Sequence, residues 1–424
     1  MAVTAVVGAQ WGDEGKGRVV DLLAQQADVV ARFQGGSNAG HTVINDYGKF
    51  ALHLVPSGIF NPGAWCLLAP GVAVHPGDLL AEMDTLTAAG VRLDQLRISE
   101  RAHVVMPYHQ LLDGLDEARR SQDGSAIGTT KKGIGPCYTD KVSRVGLQVG
   151  DLLDRDWLAG FIARAVAEKN LVITRIYESD PLDAEEVFET VWAQGQRLAP
   201  HIGDTCEIIE AALAADQAIL LEGQLGAMRD LDWGIYPYVT SSSPTAGGAA
   251  AGAGIPPAYI TRVVGVAKAY SSAVGAGPFP TELHGAEAEQ LREIGGEYGA
   301  TTGRPRRCGW FDALSVRHSA RLSGFTEIAL TKLDVLDSYA EIPICVGYEL
   351  DGVRLDRMPM TRLIDRVTPI YETLPGWQSP TVDCRTWADL PATAQAYVLR
   401  LEELCGVHIS QVSVGPERAS MVER

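Results

Sequence analysis

Long apolar runs, paired cysteines and an excess of positive charge are all missing from this 424-residue chain, and each absence excludes a class of protein. No run of about eighteen apolar residues is present to span a bilayer. The N-terminus goes straight into a strand pattern, without the basic and apolar regions of a secretion signal. Seven cysteines, Cys66, Cys137, Cys206, Cys308, Cys345, Cys384 and Cys405, are scattered and odd in number, with no CxxC pair. That argues against a disulfide framework or zinc site and for a reducing compartment. With 36 lysines and arginines against 53 aspartates and glutamates, the formal charge is −17, the wrong sign for a nucleic-acid partner. The expectation is a cytoplasmic chain with no membrane or nucleic-acid partner, in which any anionic ligand is met by a local basic cluster. A linker is missing too, and so is any repeat. A chain with 46% hydrophobic residues and 45 glycines can fill one large core with many tight turns, so residues 1–424 read as a single α/β domain.

What is present is concentrated first between Gly8 and Thr42. Val3, Ala5, Val6 and Val7 form a short apolar run, the pattern of a strand buried on both faces. GAQWGDEGKG follows (Gly8 to Gly17), and Arg18 to Gln25 carries Val19, Leu22 and Leu23 at helical spacing. Strand, glycine-rich turn and helix is the arrangement in which free backbone amides and a helix dipole face an anion, here a phosphate. The run departs from a P-loop, which would need Gly at position 10 and Ser or Thr at position 17, where Gln10 and Gly17 stand. Lys16 is kept. Without the hydroxyl that ligates Mg²⁺, the nearest hard oxygen ligand is Asp13; the alternative is a plain glycine turn with solvated Asp13 and Glu14. A second small-residue loop, GGSNAGHT (Gly35 to Thr42), follows a strand-like Val29, Val30 and Phe33, and its His41 suits proton donation to a transferring oxygen.

Further blocks carry chemistry. In TTGRPRRCGW (Thr301 to Trp310), Arg304, Arg306 and Arg307 stand together in an acidic chain, and arginine forks grip carboxylates. TKLDVLD (Thr331 to Asp337) follows the strand-like Ile328 to Leu330. Its Asp334 can accept from both N1–H and N2–H of guanine, a pair that adenine lacks; Lys332 and Asp334 as a surface ion pair is the alternative. Thr130, Lys131 and Lys132 read as a phosphate clamp or as a solvated loop. His103 and His109, six residues apart, fall on different helix faces and do not make a metal pair. Asp151 to Leu213 reads as amphipathic packing helix, as do Leu79, Leu80, Met83 and Leu86 between Pro76 and Gly90, and Ala394, Tyr397, Val398, Leu401 and Leu404 near the end.

Together with IGTTKKGIGPCYTDKVSR (Ile127 to Arg144), YPYVTSS (Tyr236 to Ser242), VGAGPFPTEL (Val274 to Leu283) and SVGPER (Ser413 to Arg418), these blocks resemble the adenylosuccinate synthetase family over nearly the whole chain. The resemblance implies a large, mostly parallel central sheet flanked by helices, P-loop-NTPase-like, with long inserted loops and subdomains. It also implies ligation of IMP to L-aspartate, driven by GTP and Mg²⁺ through a 6-phosphoryl-IMP intermediate, as the first committed step from IMP to AMP. Asp13 is then base and metal ligand, with Gly40 as second ligand, and His41 is the catalytic partner. GTP falls to Gly12, Asp13, Glu14, Gly15, Lys16, Gly17, Arg18, Gly40, His41, Thr42, Arg306, Lys332, Leu333, Asp334, Ser413, Val414 and Gly415. IMP falls to Asp13, Glu14, Gly15, Lys16, Asn38, Ala39, Gly40, His41, Thr130, Arg144, Gln224, Thr240, Val274 and Arg304. Aspartate falls to Ala300, Thr301, Thr302, Gly303, Arg304, Pro305 and Arg306.

The resemblance further implies a homodimer in which Arg144 reaches the partner's IMP site. Two departures stand out. The family's Glu-Gly-Ala-Gln-Gly reads Glu222, Gly223, Gln224, Leu225, Gly226 here, so Leu225 replaces the base-contacting glutamine, and Gln224, one residue early, would point the other way along an extended segment. Ala273 stands where an arginine often precedes Val274. A regulatory GTPase would share the phosphate loop and TKLD but would not need the arginine cluster, whereas a GTP-dependent small-molecule kinase would release a stable phosphorylated product without consuming an amino acid.

Overall fold

In the computed structural model, which describes residues 3–38, 40–45, 47–299 and 303–424, the opening apolar run lies in the middle of a ten-stranded sheet. Its strands are β1 (Val3–Gly8), β2 (Val29–Arg32), β3 (Trp65–Leu68), β4 (Leu96–Ser99), β5 (Ile202–Gly203), β6 (Ile219–Gly226), β7 (Ile260–Lys268), β8 (Glu327–Thr331), β9 (Ile409–Ser413) and β10 (Met421–Glu423). They lie in the order β10-β9-β8-β7-β1-β6-β2-β3-β4-β5. Every neighbouring pair is parallel except β9 with β10. Alternation along β1 explains its unbroken apolar composition. Val3, Ala5 and Val7 enter the core on one face of the sheet, whereas Val6 joins the core on the other with Val19 and Val20 of helix α1 (Lys16–Leu23).

Helix α1 starts earlier than its apolar spacing predicts, because Gly15 takes a left-handed φ of 90° and puts Lys16 in the first turn. Side chains other than glycine resist that conformation. The segment expected to be packing helix contains helices at Arg155–Arg175 and Ala184–Leu198, whose Leu158, Ile162, Val187 and Val191 pack with Leu96 and Ile98 of β4. A smaller sheet, built on Glu341–Leu350, takes Val353–Leu355 and Thr368–Pro375 antiparallel and Phe311–Asp312 parallel. The seven cysteines are free thiols, and no described helix is long and apolar enough to cross a membrane. The histidine spacing argument needs correction: His103 lies in a two-residue strand, and only His109 is helical. His109 is buried, accepting from the Met106 amide at 3.0 Å and pairing with Asp140 at 3.0 Å.

Because β1 sits between β6 and β7, the chain runs away from it in both directions along the sheet. In such sheets the crevice opens beyond the carboxyl ends of the strands at that switch. The GDEGKG turn after β1, Leu225 in β6, Lys332 after β8 and Gly415 after β9 all reach it.

Candidate active site

The cleft at that position has a volume of 790 Å³. Its GDEGKG turn is organised from within by Glu14. This carboxylate is fully buried, accepts from the amides of Gln10 (3.0 Å) and Gly12 (2.8 Å), and pairs with Lys16. Gln10 anchors the turn to the end of β7, donating to the Tyr270 carbonyl and accepting from the Lys268 amide, each at 3.0 Å. Glu14 is therefore held behind the turn with Gly12, whereas Asp13, Gly15, Lys16 and Gly17 line the cleft. Gly17 also has a physical reason. A Cβ there would lie 2.7 Å from the His41 Cβ, so the space a P-loop gives to its hydroxyl residue is filled by the histidine.

His41 begins a hairpin strand, His41–Asn45, and its Nδ1 lies 2.5 Å from Oε1 of Glu222. Glu222, buried in β6, also accepts from the Ser57 amide (2.8 Å) and hydroxyl (2.7 Å). Burial would raise this carboxyl, but the hydrogen bond and charge of His41, with Arg32 and Ser57, hold it below the ordinary value. Burial lowers the His41 pKa against the pull of Glu222. The resting pair is thus a carboxylate holding the imidazole Nδ1–H, a second-residue orientation of the kind that fixes the other ring nitrogen. Glu222 is not among the expected site residues; its one signal in the sequence is an acid at the end of the apolar run Ile219 to Leu221.

Gln224 extends on the same side as Glu222, away from the cleft. It accepts from Arg32, donates to Asn38 Oδ1 at 2.9 Å, and packs so closely that a Cβ on Gly35 would meet its amide nitrogen at 1.3 Å. Leu225, at a φ of 60°, lines the cleft instead. Asn38, Gly40 and Thr42 also line it.

Where the cleft meets the SVGPER turn, Arg18 donates to Ser413 Oγ and the carbonyls of Gly415 and Glu417. Burial brings its pKa down to about 10, with Asp334 opposing. Arg418, the last residue of SVGPER and given no role above, forks onto Asp21 with two contacts of 2.9 Å, so the SVGPER turn is stapled twice to α1. Asp334 lines the cleft and burial raises its carboxyl. Leu333 and Val414 are buried behind it. Lys49, Phe50 and Glu293 to Gly296 complete this wall without any motif that would have announced them.

Asp13, at a φ of 58°, pairs with Arg306 Nε at 3.0 Å and keeps 30% of its side chain exposed. Among the described residues no group of three or more His, Cys, Asp and Glu gathers as a metal cage. One carboxylate facing a phosphate turn nevertheless fits Mg²⁺, which binds through one or two carboxylates plus substrate phosphates and water.

The remaining expected residues do not line this cleft. Thr130 is exposed on a loop tethered by helix Pro107–Gln122, whose Glu117 accepts from the Gly128 amide (2.6 Å) and Asp113 from that of Gly133 (2.9 Å). Lys132, one of the three residues of the expected clamp, pairs with Asp78 at 3.1 Å. Arg144 is exposed at the end of helix Ile134–Ser143 with a φ of 65°. Thr240 is buried and Val274 is 37% exposed; buried Arg229 joins their loops, its backbone carbonyl accepting from the Thr240 amide (2.8 Å) and its Nη2 donating to the Val274 carbonyl (2.6 Å). Gly303, Arg304 and Pro305 are exposed. Ala39, Ala300, Thr301 and Thr302 lie outside the described residues.

A family model described as adenylosuccinate synthetase matches residues 5–422. Relatives named adenylosuccinate synthetase from Heliobacterium modesticaldum and Nitratidesulfovibrio vulgaris are each 49% identical, covering 100% of this chain and 99% and 100% of theirs. A solved structure of fully ligated adenylosuccinate synthetase from Plasmodium falciparum superposes with a TM-score of 0.95 at 36% identity over 100% of both chains. The cyanophage S-2L succinoaminodeoxyadenylate synthetase bound to dGMP and dATP has a TM-score of 0.63 at 20% identity, covering 100% of this chain and 95% of its own, and shares the fold alone. A phosphate turn rebuilt around Glu14 and His41, on a sheet matched from end to end, leads to one conclusion: the chain belongs to the adenylosuccinate synthetase family.

Proposed function

We propose that this cleft performs the GTP-driven ligation of IMP with L-aspartate to adenylosuccinate, the first committed step from IMP to AMP in purine nucleotide biosynthesis. The observation that carries the reading is the meeting of Asp13, Lys16, His41, Arg306 and Asp334 in one cleft. Asp334 reads guanine through its two adjacent donors. Lys16 and the first amides of α1, which have no partner within the helix, hold the triphosphate. Asp13 removes the N1 proton of IMP, so that O6 attacks the γ-phosphorus and the bridging oxygen leaves with GDP. His41, oriented by Glu222 and protonated when the anionic phosphates approach, donates to the γ-oxygens. The aspartate amine then attacks C6, the C6–O bond breaks and phosphate departs. A positioned general base contributes roughly 10² to 10⁴ in rate.

Asp13 and the Gly40 carbonyl would hold Mg²⁺, which when bound neutralises charge on the β- and γ-phosphates. Arg304 and Arg306 receive the carboxylates of aspartate. The chain 1–424 is read as one domain, since residues of one cleft come from Asp13 to Arg418. A cytoplasmic location is supported by the seven free thiols.

The protein is read as a homodimer in which Arg144 completes the partner's IMP site. In support, its guanidinium has no partner among the described residues, and its neighbours Val142 and Val145 are 79% and 45% exposed. The test is to follow GTP loss with IMP, aspartate or both omitted. Phosphate release is expected only when both are present. Hydrolysis with neither would indicate a regulatory GTPase, and turnover with IMP alone a small-molecule kinase.

A further inference from the structure

Beneath the cleft, one carboxylate outside the expected site gathers four donors. Glu297, fully buried, accepts on Oε1 from the Tyr270 hydroxyl (2.5 Å), Lys268 Nζ (2.7 Å) and Lys332 Nζ (2.8 Å), and on Oε2 from Arg306 Nη1 (2.8 Å). The donors come from three separate functional segments: the end of β7, the TKLD turn after β8, and the arginine loop. Lys332 is held further by the Gly295 carbonyl at 2.6 Å. Glu297 also closes the base of the arginine loop through its backbone, its carbonyl accepting from the Arg306 amide at 2.9 Å.

A structural ion pair needs one partner, and Glu297 has three cationic ones. Lys268, Lys332 and Arg306 share this one carboxylate, and Arg306 alone of the three also reaches Asp13. Arg306 divides its guanidinium: Nη1 hydrogen-bonds Glu297, whereas Nε lies 3.0 Å from Asp13 as an ion pair without a hydrogen bond and so keeps an unsatisfied N–H on that edge. An arriving carboxylate can exchange with Asp13 at the Nε edge while Glu297 keeps its hold at Nη1. The exchange frees Asp13 to accept a proton.

We propose that Glu297 is a positioning residue that pivots Arg306 between Asp13 and the substrate's carboxylate, and fixes Lys332 of the base-reading turn from the same atom pair. The inference rests on the ligase reading above, and it assigns to that site the group that makes its aspartate grip selective. Without the carboxylate, three cations lose their shared counter-charge and Arg306 is free to close fully on Asp13.

The test is Glu297→Gln, which keeps shape and removes charge. The KM for aspartate should rise at least about tenfold, the worth of one charged hydrogen bond, while IMP binding measured by calorimetry changes less than about threefold. Glu297→Asp should recover part of the aspartate affinity. If Glu297→Gln does not fold, Glu297→Asp is read by itself: the shortened carboxylate keeps the charge but withdraws from Arg306, so the KM for aspartate should rise while IMP binding holds. An unchanged aspartate KM, or equal losses for all three substrates, would overturn the pivot. Failure of the wild-type chain to require both IMP and aspartate would instead overturn the ligase reading, so the two failures are distinct.

Discussion

The residues assigned to the triphosphate and the loop residues assigned to IMP are held in different ways. Among the first, Glu14 braces the GDEGKG turn from within, Gln10 ties that turn to the end of β7, and Arg18 and Arg418 tie α1 to the SVGPER turn. Among the second, Thr130, Arg144 and Arg304 are exposed on loops or at a helix end and stay out of the cleft. Rigid strand ends pre-pay the positioning of charge against phosphates, whereas exposed loops leave that ordering to substrate or to a second chain. The difference teaches where each kind of damage should register: in chemistry and base choice for the first set, in assembly and substrate completion for the second.

The strongest way to break this contrast is Asp13→Ala. Turnover should fall on the order of 10² or more, the general-base factor, measured as kcat with all substrates saturating. A variant with most of its turnover would move the base elsewhere, and Glu14 is a poor successor because its carboxylate already holds two amides and Lys16. Next comes Glu222→Gln. Loss of the carboxylate that orients His41 should lower kcat roughly 10- to 100-fold, the usual cost of removing an orienting partner, with the melting temperature as control. Full activity would mean that the ring needs no orientation from β6.

Asp334→Asn sharpens the comparison within the first set. The amide can donate to the two-oxygen of xanthine where the carboxylate accepted from the guanine amine, so preference should move from GTP toward xanthosine triphosphate by about 1–3 kcal/mol. Competition between the two nucleotides measures it, and an unchanged ratio would remove TKLD as the base reader.

The smallest effect tests the exposed set. Asp13→Ala and Arg144→Leu chains, each nearly inactive alone, are mixed after dissociation. Random pairing makes half the dimers mixed, each with one intact site, so roughly a quarter of wild-type activity should return. A flat result would confine Arg144 to its own chain.

Much of the architecture was legible because its signals are local. An apolar run buried on both faces, a glycine turn and apolar helical spacing announced β1 and α1, and the strand-like run before TKLD corresponds to β8. Helix limits slipped where backbone conformation decided them, as at Gly15, whose left-handed φ moved the start of α1 to Lys16. Leu225 was legible as a departure; Gln224, expected among the IMP residues, instead bonds Arg32 and Asn38 and does not line the cleft, as alternation along β6 would have it.

Glu222 and Glu297 were not legible in the same way. Each is an isolated acid in sequence, and its partners lie 181 residues away at His41 and 29 and 35 residues away at Lys268 and Lys332. The sequence by itself determined which segments bear chemistry, since charge, small size and periodicity are properties of neighbouring residues. Only the tertiary structure decided which buried carboxylate holds which cation, because a desolvated charge is stable only where its partners converge in space, and that convergence is set by strand order, with β1 between β6 and β7.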